Sequence, residues 1–476
     1  MSKPLKFSLI FAAGVLALLV LLALVMRHFV SADAVRPRLE AVVSETLGLD
    51  LRVEGPMRFT IFSPLVLTLE DAHLDDEDAE IASVKKARVA VALGPLLQGK
   101  IRIKEVVLVQ PQIAFERDQE GKFPFTDPRD AQEHQPALTL AKLTVSEGSL
   151  IFTDKKLGQT LEAVDCNLNL RDLHLPAVEN SSDPRRYPSF TADLACAEFR
   201  HDDFGVADLS GALVADGATL DITEFTVQAF GSQGTGSLQG DFTGAVPRFQ
   251  AEFSLPQFDV DRFFQTLASE QVAEGRMDFS ATLSAQGDTR DALRRSLEGQ
   301  ISLRGTDLTL HGTDLDREFA QFEAVQSFNL VDLGALFFVG PFGMVVTKGY
   351  EFASIFYRTE GSTAIRTLVS EWEVEEGVTR AKDVAMATSQ YRVALQGGVD
   401  LAHERFDDLT VALVDAEGCA IVEQKIVGTF DEPEMRKPHF LTTLARPALE
   451  LLKRGLTLFP GVECEVFYDG SVAAPN

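Results

Sequence analysis

Alternation of apolar and polar residues, repeated from about residue 50 towards the C-terminus, constrains the fold of this chain most strongly. Segments such as "ARVAVAL", "KLTV", "DCNLNL", "GQISLRG" and "LTVAL" make every second residue apolar. Successive side chains of a β-strand point to opposite faces, so this period indicates strands with one apolar and one polar face. The chain is therefore predicted to be mainly β.

The spacing of these segments predicts how the strands connect. They recur every ~8 to 15 residues, and Gly, Asp, Asn or Pro turns separate them. No helical segment regularly intervenes, as parallel βαβ units would require, so we expect an antiparallel meander. Helices are predicted only for residues 35–48, for the segment around Phe263, from Thr289, for about 316–357, and for "FLTTLARPALELLKRGL" near the C-terminus.

An uncharged apolar stretch, residues 7–26, lies close to the N-terminus and follows two lysines. Twenty helical residues at ~1.5 Å each span the ~30 Å core of a bilayer. We interpret the stretch as an uncleaved anchor, because its apolar core exceeds the ~7 to 15 residues of a signal peptide. A cleaved signal peptide is the alternative, since Ala32 and Ala34 form an A-x-A site. The bulk of the chain is expected outside the cytoplasm. The predicted anchor residues are Phe7, Leu9, Ile10, Leu16, Leu19, Leu22 and Met26.

Composition restricts the partners of the chain. Its formal net charge of -27 repels nucleic acid, so we expect no nucleic-acid partner. The chain has 34 Phe but only 5 Tyr and one Trp, so most of its aromatic surface lacks a polar group. Such surface belongs in a dry interior or against lipid.

No motif in the sequence points to catalysis, a cofactor or a metal. Gly94, Gly99 and Lys100 have the spacing of a phosphate-binding loop, but Ile101 replaces the Ser or Thr that would bind the metal. The following residues predict a strand instead of the required helix, so we expect no nucleotide partner. The eight His show no metal-binding spacing. We expect a protein that is not an enzyme and has no cofactor and no bound metal.

Residues 328–346 are nearly apolar enough for a second membrane span, but Asp332 and Pro341 interrupt them. A helix buried against the sheet is the favoured interpretation; a lipid-contacting lid and a true span are the alternatives. For the cysteines, Cys166, Cys196 and Cys464 lie on apolar strand faces. They are interpreted as small buried hydrophobic residues in preference to disulfides.

Two long segments then resemble the AsmA family of inner-membrane-anchored periplasmic proteins of Gram-negative bacteria. The first runs from "VRPRLEAVVSETLGLDLRVEG" to "QIAFERDQEGKFPF"; the second includes "LEGQISLRGTDLTLHGTDLD" and "IVGTFDEPEMRKP". They cover about 35–125 and 290–440, whereas 126–290 and the C-terminal tail carry no comparable motif. The family motif is carried by Pro95, Leu96, Leu97, Gly99, Ile101, Ile103, Leu108, Pro111 and Ile113.

The resemblance implies a long, twisted, open β-sheet curled into a hydrophobic groove, related to bridge-like lipid-transfer proteins. It implies a single-pass inner-membrane protein with its bulk in the periplasm, phospholipid or another acyl lipid as ligand, and outer-membrane lipid homeostasis and assembly as its role. A periplasmic or outer-membrane protein is a further possible partner. A membrane-tethered scaffold that aids outer-membrane protein assembly without carrying lipid is the alternative.

The sequence patterns and the family resemblance together predict six segments. They are a cytoplasmic stub and anchor (1–30), an N-terminal chorein-like segment (31–125), a β-meander body (126–315), a helical insert (316–360), a C-terminal β segment (361–438), and a C-terminal helix and tail (439–476). Strand parity selects the residues that face the groove. They are Val89, Val91, Leu93, Ile101, Ile103, Val164, Leu168 and Leu170.

Overall fold

A computed structural model gives the structure of the chain as two compact units, Met1–Ala218 and Thr219–Asn476. The boundary between them lies inside the segment that the sequence assigns to one β-meander body. The structure describes residues 36–37, 40–41, 44, 49–60, 64–76, 79–92, 102–120, 138–156, 158–175, 188–201, 204–266, 271–321, 361–430, 432–437, 439–440 and 465–475. Within these residues, no helix is long and apolar enough to cross a membrane. The predicted anchor lies outside them.

The first unit is a sheet of long strands that follow one another in sequence order. Burial alternates along much of β7, so one side of this strand is covered more than the other, as the apolar–polar alternation of its sequence predicts. Residues 36, 37, 40, 41 and 44, within the predicted N-terminal helix, are helical. The strands are β1 (Asp50–Val53), β2 (Met57–Thr60), β3 (Leu65–Asp76), β4 (Ala79–Val91), β5 (Ile103–Arg117), β6 (Leu138–Asp154), β7 (Gln159–Leu175), β8 (Ser189–His201) and β9 (Phe204–Asp216).

Pairing between the described strands of the first unit is antiparallel with one exception. The short strands β1 and β2 both pair with β3, and each later strand pairs with the next. Strands β5 and β6, however, run parallel. The prediction of a purely antiparallel meander is wrong at this step. The connection through residues 118–137 is long enough to return the chain to the end of the sheet where β5 began.

Cys166 of β7 and Cys196 of β8 are directly opposite each other and form a disulfide. The prediction that both are merely buried hydrophobic residues is therefore wrong. Parity placed Cys166 with Leu168 and Leu170, and Cys196 with Ala192 and Leu194, but it could not show that the two cysteines share a register position. Cys419 is also disulfide-bonded, and Cys464 lies outside the described residues.

The second unit is also built from strands that pair in sequence order. Each pairs antiparallel with the next, and β19 pairs with both β20 and β21. The strands are β10 (Thr219–Ala229), β11 (Ser232–Asp241), β12 (Arg248–Asp259), β13 (Ala273–Gln286), β14 (Glu298–His311), β15 (Ser362–Glu375), β16 (Val378–Ala387), β17 (Arg392–Asp400), β18 (Arg405–Val414), β19 (Ala420–Gly428), β20 (Pro433–Met435) and β21 (His439–Phe440). The prediction of a mainly β chain is confirmed.

Three short helices of the second unit have described bounds: α1 (Val260–Gln265), α2 (Arg290–Arg295) and α3 (Leu315–Gln321). The predicted helices around Phe263 and from Thr289 are thus confirmed. Asp259 caps α1 by accepting hydrogen bonds from two backbone N–H groups of its first turn. The rest of the predicted helical insert, beyond α3, lies outside the described residues. The predicted C-terminal helix lies outside them too, from residue 441 onwards.

The most deeply buried part of the second unit lies in β16, β17 and β18. Residues 384–387, 391–395 and 409–415 are buried without alternation, so both faces of these strands are covered. On one face, Phe319 of α3 packs its ring 5.1 Å from that of Tyr391. On the other, Tyr468 and Val472 of the C-terminal segment pack against small side chains.

Candidate functional site

Apolar side chains form continuous rows across one face of the first unit, from β3 to β9. In each row every residue is the cross-strand partner of the next, which places their side chains on the same face. The first three rows are Leu67, Val89, Val106, Leu143, Leu170, Ala192 and Leu213; Leu69, Ala87, Leu108, Val145, Leu168, Leu194 and Gly211; and Leu74, Ala82, Ile113, Leu150, Ala163, Phe199 and Val206.

A fourth row runs between the second and third of these and consists mostly of small side chains. We call it the floor row: Ala72, Val84, Pro111, Gly148, Cys166, Cys196 and Leu209. Gly148 completes it because there is no room for a larger residue. An added Cβ would lie 2.7 Å from Val145 Cγ1 and 3.2 Å from Pro111 Cγ. The four rows together are called the apolar face below.

A line of five residues with left-handed backbone angles runs beside the floor row. Asp71, Gln110, Glu147, Asp165 and Asp208 each directly precede a floor-row residue, and all have φ between 49° and 53°. The register shifts beside Glu147 and Asp165. Such irregularities bend a strand, so irregularities at one level of β3, β5, β6, β7 and β9 bend the sheet along that line. We call these five residues the crease residues.

Burial indicates which side of the bend is hollow. Ala72 and Cys196 of the floor row are both 5% exposed, whereas Ile113 of the third row is 39% exposed. Most larger side chains of the apolar face are half-buried, and four of the five crease residues are exposed. The floor row therefore includes some of the most buried side chains of the apolar face, and a concave apolar side with the crease residues on the outside accounts for this.

The reverse face of the same strands is polar, and several of its charges are paired. Arg171 contacts Asp193 at 2.7 Å, and Lys142 contacts Glu105 at 3.3 Å. Hydrogen bonds from Arg200 lower the pKa of the Glu198 carboxyl below its usual value. Such exposed pairs contribute little to stability, but they leave the two faces chemically distinct.

The structure brings together five of the residues predicted from parity and separates one. Val89, Leu168 and Leu170 lie on the apolar face. Val91 and Ile103 are cross-strand partners that continue it just beyond the first row. Val164, by contrast, is opposite Glu198. Leu93 and Ile101 lie outside the described residues.

The bulge at Asp165 is the reason for the different position of Val164. It inserts one residue between Ala163 and Cys166, so that the parity of β7 changes there. Of the family-motif residues, Pro111 lies in the floor row. Pro95, Leu96, Leu97 and Gly99 lie outside the described residues.

A second apolar surface lies in the second unit, and the parity prediction did not include it. Phe225 of β10 and Phe253 of β12 stack across β11, with ring centroids 6.0 Å apart and an interplanar angle of 8°. Gly234 and Gly236 lie beneath them, since a Cβ on either glycine would lie within 3 Å of a ring atom. The Gly-rich stretch "GSQGTGSLQG" between Phe-bearing strands was the available signal.

The described residues include no group of three or more His, Cys, Asp or Glu positioned to hold a metal ion. The chemistry that these surfaces offer is apolar contact over a large area.

Comparison with known families agrees with this architecture. A family model described as the AsmA family matches residues 1–185 and 190–379. The match includes the middle of the chain, where the sequence shows no motif of the family. It ends before the segment "IVGTFDEPEMRKP". No curated protein and no solved structure matches the chain. Because the family model covers most of its length, the chain belongs to the AsmA family.

Proposed function

We propose that this AsmA family protein binds acyl lipids on the apolar face of its first unit and transfers them as a membrane-anchored periplasmic protein. One observation carries the proposal: four apolar rows continue across seven strands while most of their larger side chains remain only half-buried. A soluble sheet normally covers such a face with a second layer. Lipid chains would provide that cover.

The dimensions of the apolar face suit an acyl chain. Six inter-strand steps of ~4.8 Å give a length of roughly 29 Å, and four rows about 6.7 Å apart give a width of roughly 20 Å. One leaflet of a bilayer core is about 15 Å thick, so an extended acyl chain fits within this area. Binding would depend on buried area, at about 25 cal/mol per Å², and would require no fixed polar partner.

The disulfide supports a location outside the cytoplasm. Disulfides persist in oxidising compartments such as the bacterial periplasm and are rare in the cytosol. Cys166 and Cys196 form one within the floor row itself. Residues 7–26 would hold the protein in the inner membrane, and support of outer-membrane lipid homeostasis and assembly is the role proposed for it.

The first experiment is photocrosslinking in cells from a probe at Leu168, followed by lipid analysis of the adduct. Leu168 lies on the apolar face between Val145 and Leu194, whereas its neighbour Asn169 is exposed. We expect phospholipid adducts at Leu168 and none at Asn169.

A probe at Val164 is a second control. It distinguishes the apolar face observed in the structure from the face that simple parity predicts. Counting by twos places Val164 on the face of Leu168, but the bulge puts it opposite Glu198. A probe at Val164 should therefore capture no lipid. Adducts to protein alone at Leu168 would contradict lipid binding and favour the scaffold function.

A further inference from the structure

Exposed basic side chains cluster in the first unit, at the end of the sheet where β4 ends and β5 begins. Arg88 lies on the reverse face, because its neighbours Ala87 and Val89 lie on the apolar one. The N–H of Ala92 donates to the carbonyl of Arg102 at 2.9 Å, which places Arg102 beside the end of β4. Five exposed side chains at this end are called the basic patch: Lys85, Lys86, Arg88, Arg102 and Lys104.

The charges of the basic patch are not neutralised by the carboxylates around it. None of its five side chains forms a salt bridge with another described residue. Glu70, the cross-strand partner of Lys86, contacts Arg58 at 3.4 Å instead. Glu105, the residue after Lys104, contacts Lys142 at 3.3 Å. The patch therefore presents uncompensated positive charge to the solvent.

The opposite end of the same strands has the reverse character. Its basic groups are paired: Arg117 contacts Asp154 at 3.0 Å, and Lys155 contacts Glu116. Further carboxylates at this end are Asp75, Asp76, Glu80, Glu162 and Glu198. The described part of the first unit thus has one basic end and one acidic end, within a chain whose net charge is -27.

The basic patch lies close to the point where the chain arrives from the proposed membrane anchor. Arg36 Nη2 donates to the carbonyl of Gly55 at 2.9 Å, and the N–H of Gly55 donates to the carbonyl of Glu70 at 3.1 Å. Because Glu70 is the partner of Lys86, two inter-strand steps of ~4.8 Å place Lys86 roughly 10 Å from Gly55. Residues 27–36 span at most about 35 Å, so the anchor keeps the patch within reach of the bilayer surface.

We propose that the basic patch docks on the anionic lipid headgroups of the membrane that holds the anchor. Clustered Lys and Arg side chains near a bilayer are attracted by the negative potential of its surface. The same surface repels the rest of this acidic chain, so the patch is the face that approaches it. Docking would orient the first unit with its basic end against the membrane. The inference rests on the proposed membrane anchor, but it does not require lipid binding by the apolar face.

The test labels the lysines of the full-length protein in vesicles with a membrane-impermeant amine reagent, and mass spectrometry measures the rate at each lysine. The vesicles contain phosphatidylcholine alone, or phosphatidylcholine with one third phosphatidylglycerol. We expect labelling of Lys86 and Lys104 to be at least threefold slower in the anionic vesicles. At about 1 M salt the Debye length falls to about 3 Å, so this difference should disappear. Lys156 is the matched control, since it is exposed at the acidic end of β6 and should be labelled equally in both vesicles.

Two double variants change the charge equally at the two ends of the sheet. Arg88→Gln with Arg102→Gln removes two charges from the basic patch and should reduce the slowing at Lys104 to less than twofold. Lys155→Gln with Lys156→Gln removes two charges from the acidic end and should leave the slowing at the wild-type level. All four substituted side chains are exposed, so we expect both variants to fold. Equal slowing in the two variants would contradict docking through the basic patch.

Flotation of the same samples separates this inference from the membrane anchor. Protein that does not float with phosphatidylcholine vesicles would contradict the anchor and, with it, this inference. Protein that floats but shows equal labelling of Lys86 and Lys104 in both vesicles would contradict docking alone. Slowing that extends to Lys156, or that persists at high salt, would overturn it as well, because the contact would then not be an electrostatic contact of the basic end.

Discussion

The crease residues hold backbone angles that strand residues ordinarily avoid. Asp165 has φ 50°, in the left-handed region that glycine and, to a lesser degree, aspartate and asparagine adopt. We expect Asp165→Gly to change the free energy of unfolding by no more than about 1 kcal/mol. Asp165→Val should lower it by about 1 to 3 kcal/mol, because β-branched side chains are strained there. Urea denaturation measures both, and equal stabilities would contradict a conformational role for this position.

Asp316 of α3 gives a pH-dependent prediction. Burial raises the pKa of its carboxyl above the usual 3.8, with a further contribution from Asp314; hydrogen bonds from Thr388 and Gln390 and the charge of Arg366 act against this. A raised carboxyl pKa means that stability falls as the pH rises from the unfolded pKa through the folded one. Asp316→Asn should therefore stabilise the protein at neutral pH.

The same carboxyl also supplies the control. Below pH 3.8 Asp316 is protonated in both folded and unfolded chains, so the stability difference between Asp316→Asn and the wild type should disappear there. Thermal unfolding of both proteins between pH 3 and pH 7 measures it. A difference that is independent of pH would show that lost or gained packing, instead of ionisation, causes the effect.

For individual residues, the sequence predicts the positions that follow from regular apolar–polar alternation. It misses those that depend on the backbone conformation of a single residue. The positions of Leu168 and Leu170 follow from alternation, but the position of Val164 depends on the φ of Asp165, which alternation does not encode. The disulfide was missed for a similar reason. Cys166 and Cys196 become partners only through the register of β7 and β8, which two local patterns cannot fix.

The glycines of strand β11 make space for aromatic side chains of the two neighbouring strands, β10 and β12. Its glycines leave room for the rings of Phe225 and Phe253, but they differ in what surrounds them. A Cβ on Gly236 would lie 2.5 Å from the backbone oxygen of Glu252, which cannot move away easily. A Cβ on Gly240 would first meet Phe242 Cε2, at 3.1 Å, and a side chain can shift.

Alanine substitutions on β11 should therefore differ. We expect Gly236→Ala to lower the free energy of unfolding by about 1 to 3 kcal/mol, as overpacking does, and Gly240→Ala to lower it by less than about 1 kcal/mol. Chemical denaturation of the two variants under the same conditions compares them. The opposite order would mean that the strands can separate locally to admit a methyl group.

The parallel direction of β6 relative to β5 is a property of these strands that the sequence did not predict. Both strands were expected from their composition, but the direction of a strand is set by the path of the connection before it. Residues 118–137 carry no regular helical pattern that would announce a crossover, so an antiparallel step was the natural expectation.

For the whole molecule, the division into two units localises the effect of the Cys166–Cys196 disulfide. The bond lies in the first unit and joins residues separated by 30 positions. Closing a loop of this size contributes about 2 to 4 kcal/mol by restricting the unfolded chain. The double variant Cys166→Ala, Cys196→Ala should therefore increase hydrogen exchange in β7 and β8.

Strands β16 to β18 of the second unit provide the internal control. Their core consists of other residues, so their protection should be unchanged in the double cysteine variant. Hydrogen exchange with mass spectrometry compares both regions in one sample. Equal loss of protection in both would mean that the two units unfold as one.

The line of crease residues has a consequence for how such a protein can lengthen in evolution. Each of the strands β3, β5, β6, β7 and β9 contains its own crease residue, so each contributes separately to the bend. Duplication of a hairpin would copy the bend together with its floor-row residues and extend the apolar face without altering its width. Length is therefore a modular property of this architecture, open to change by whole hairpins, whereas width is inherited with every copied strand.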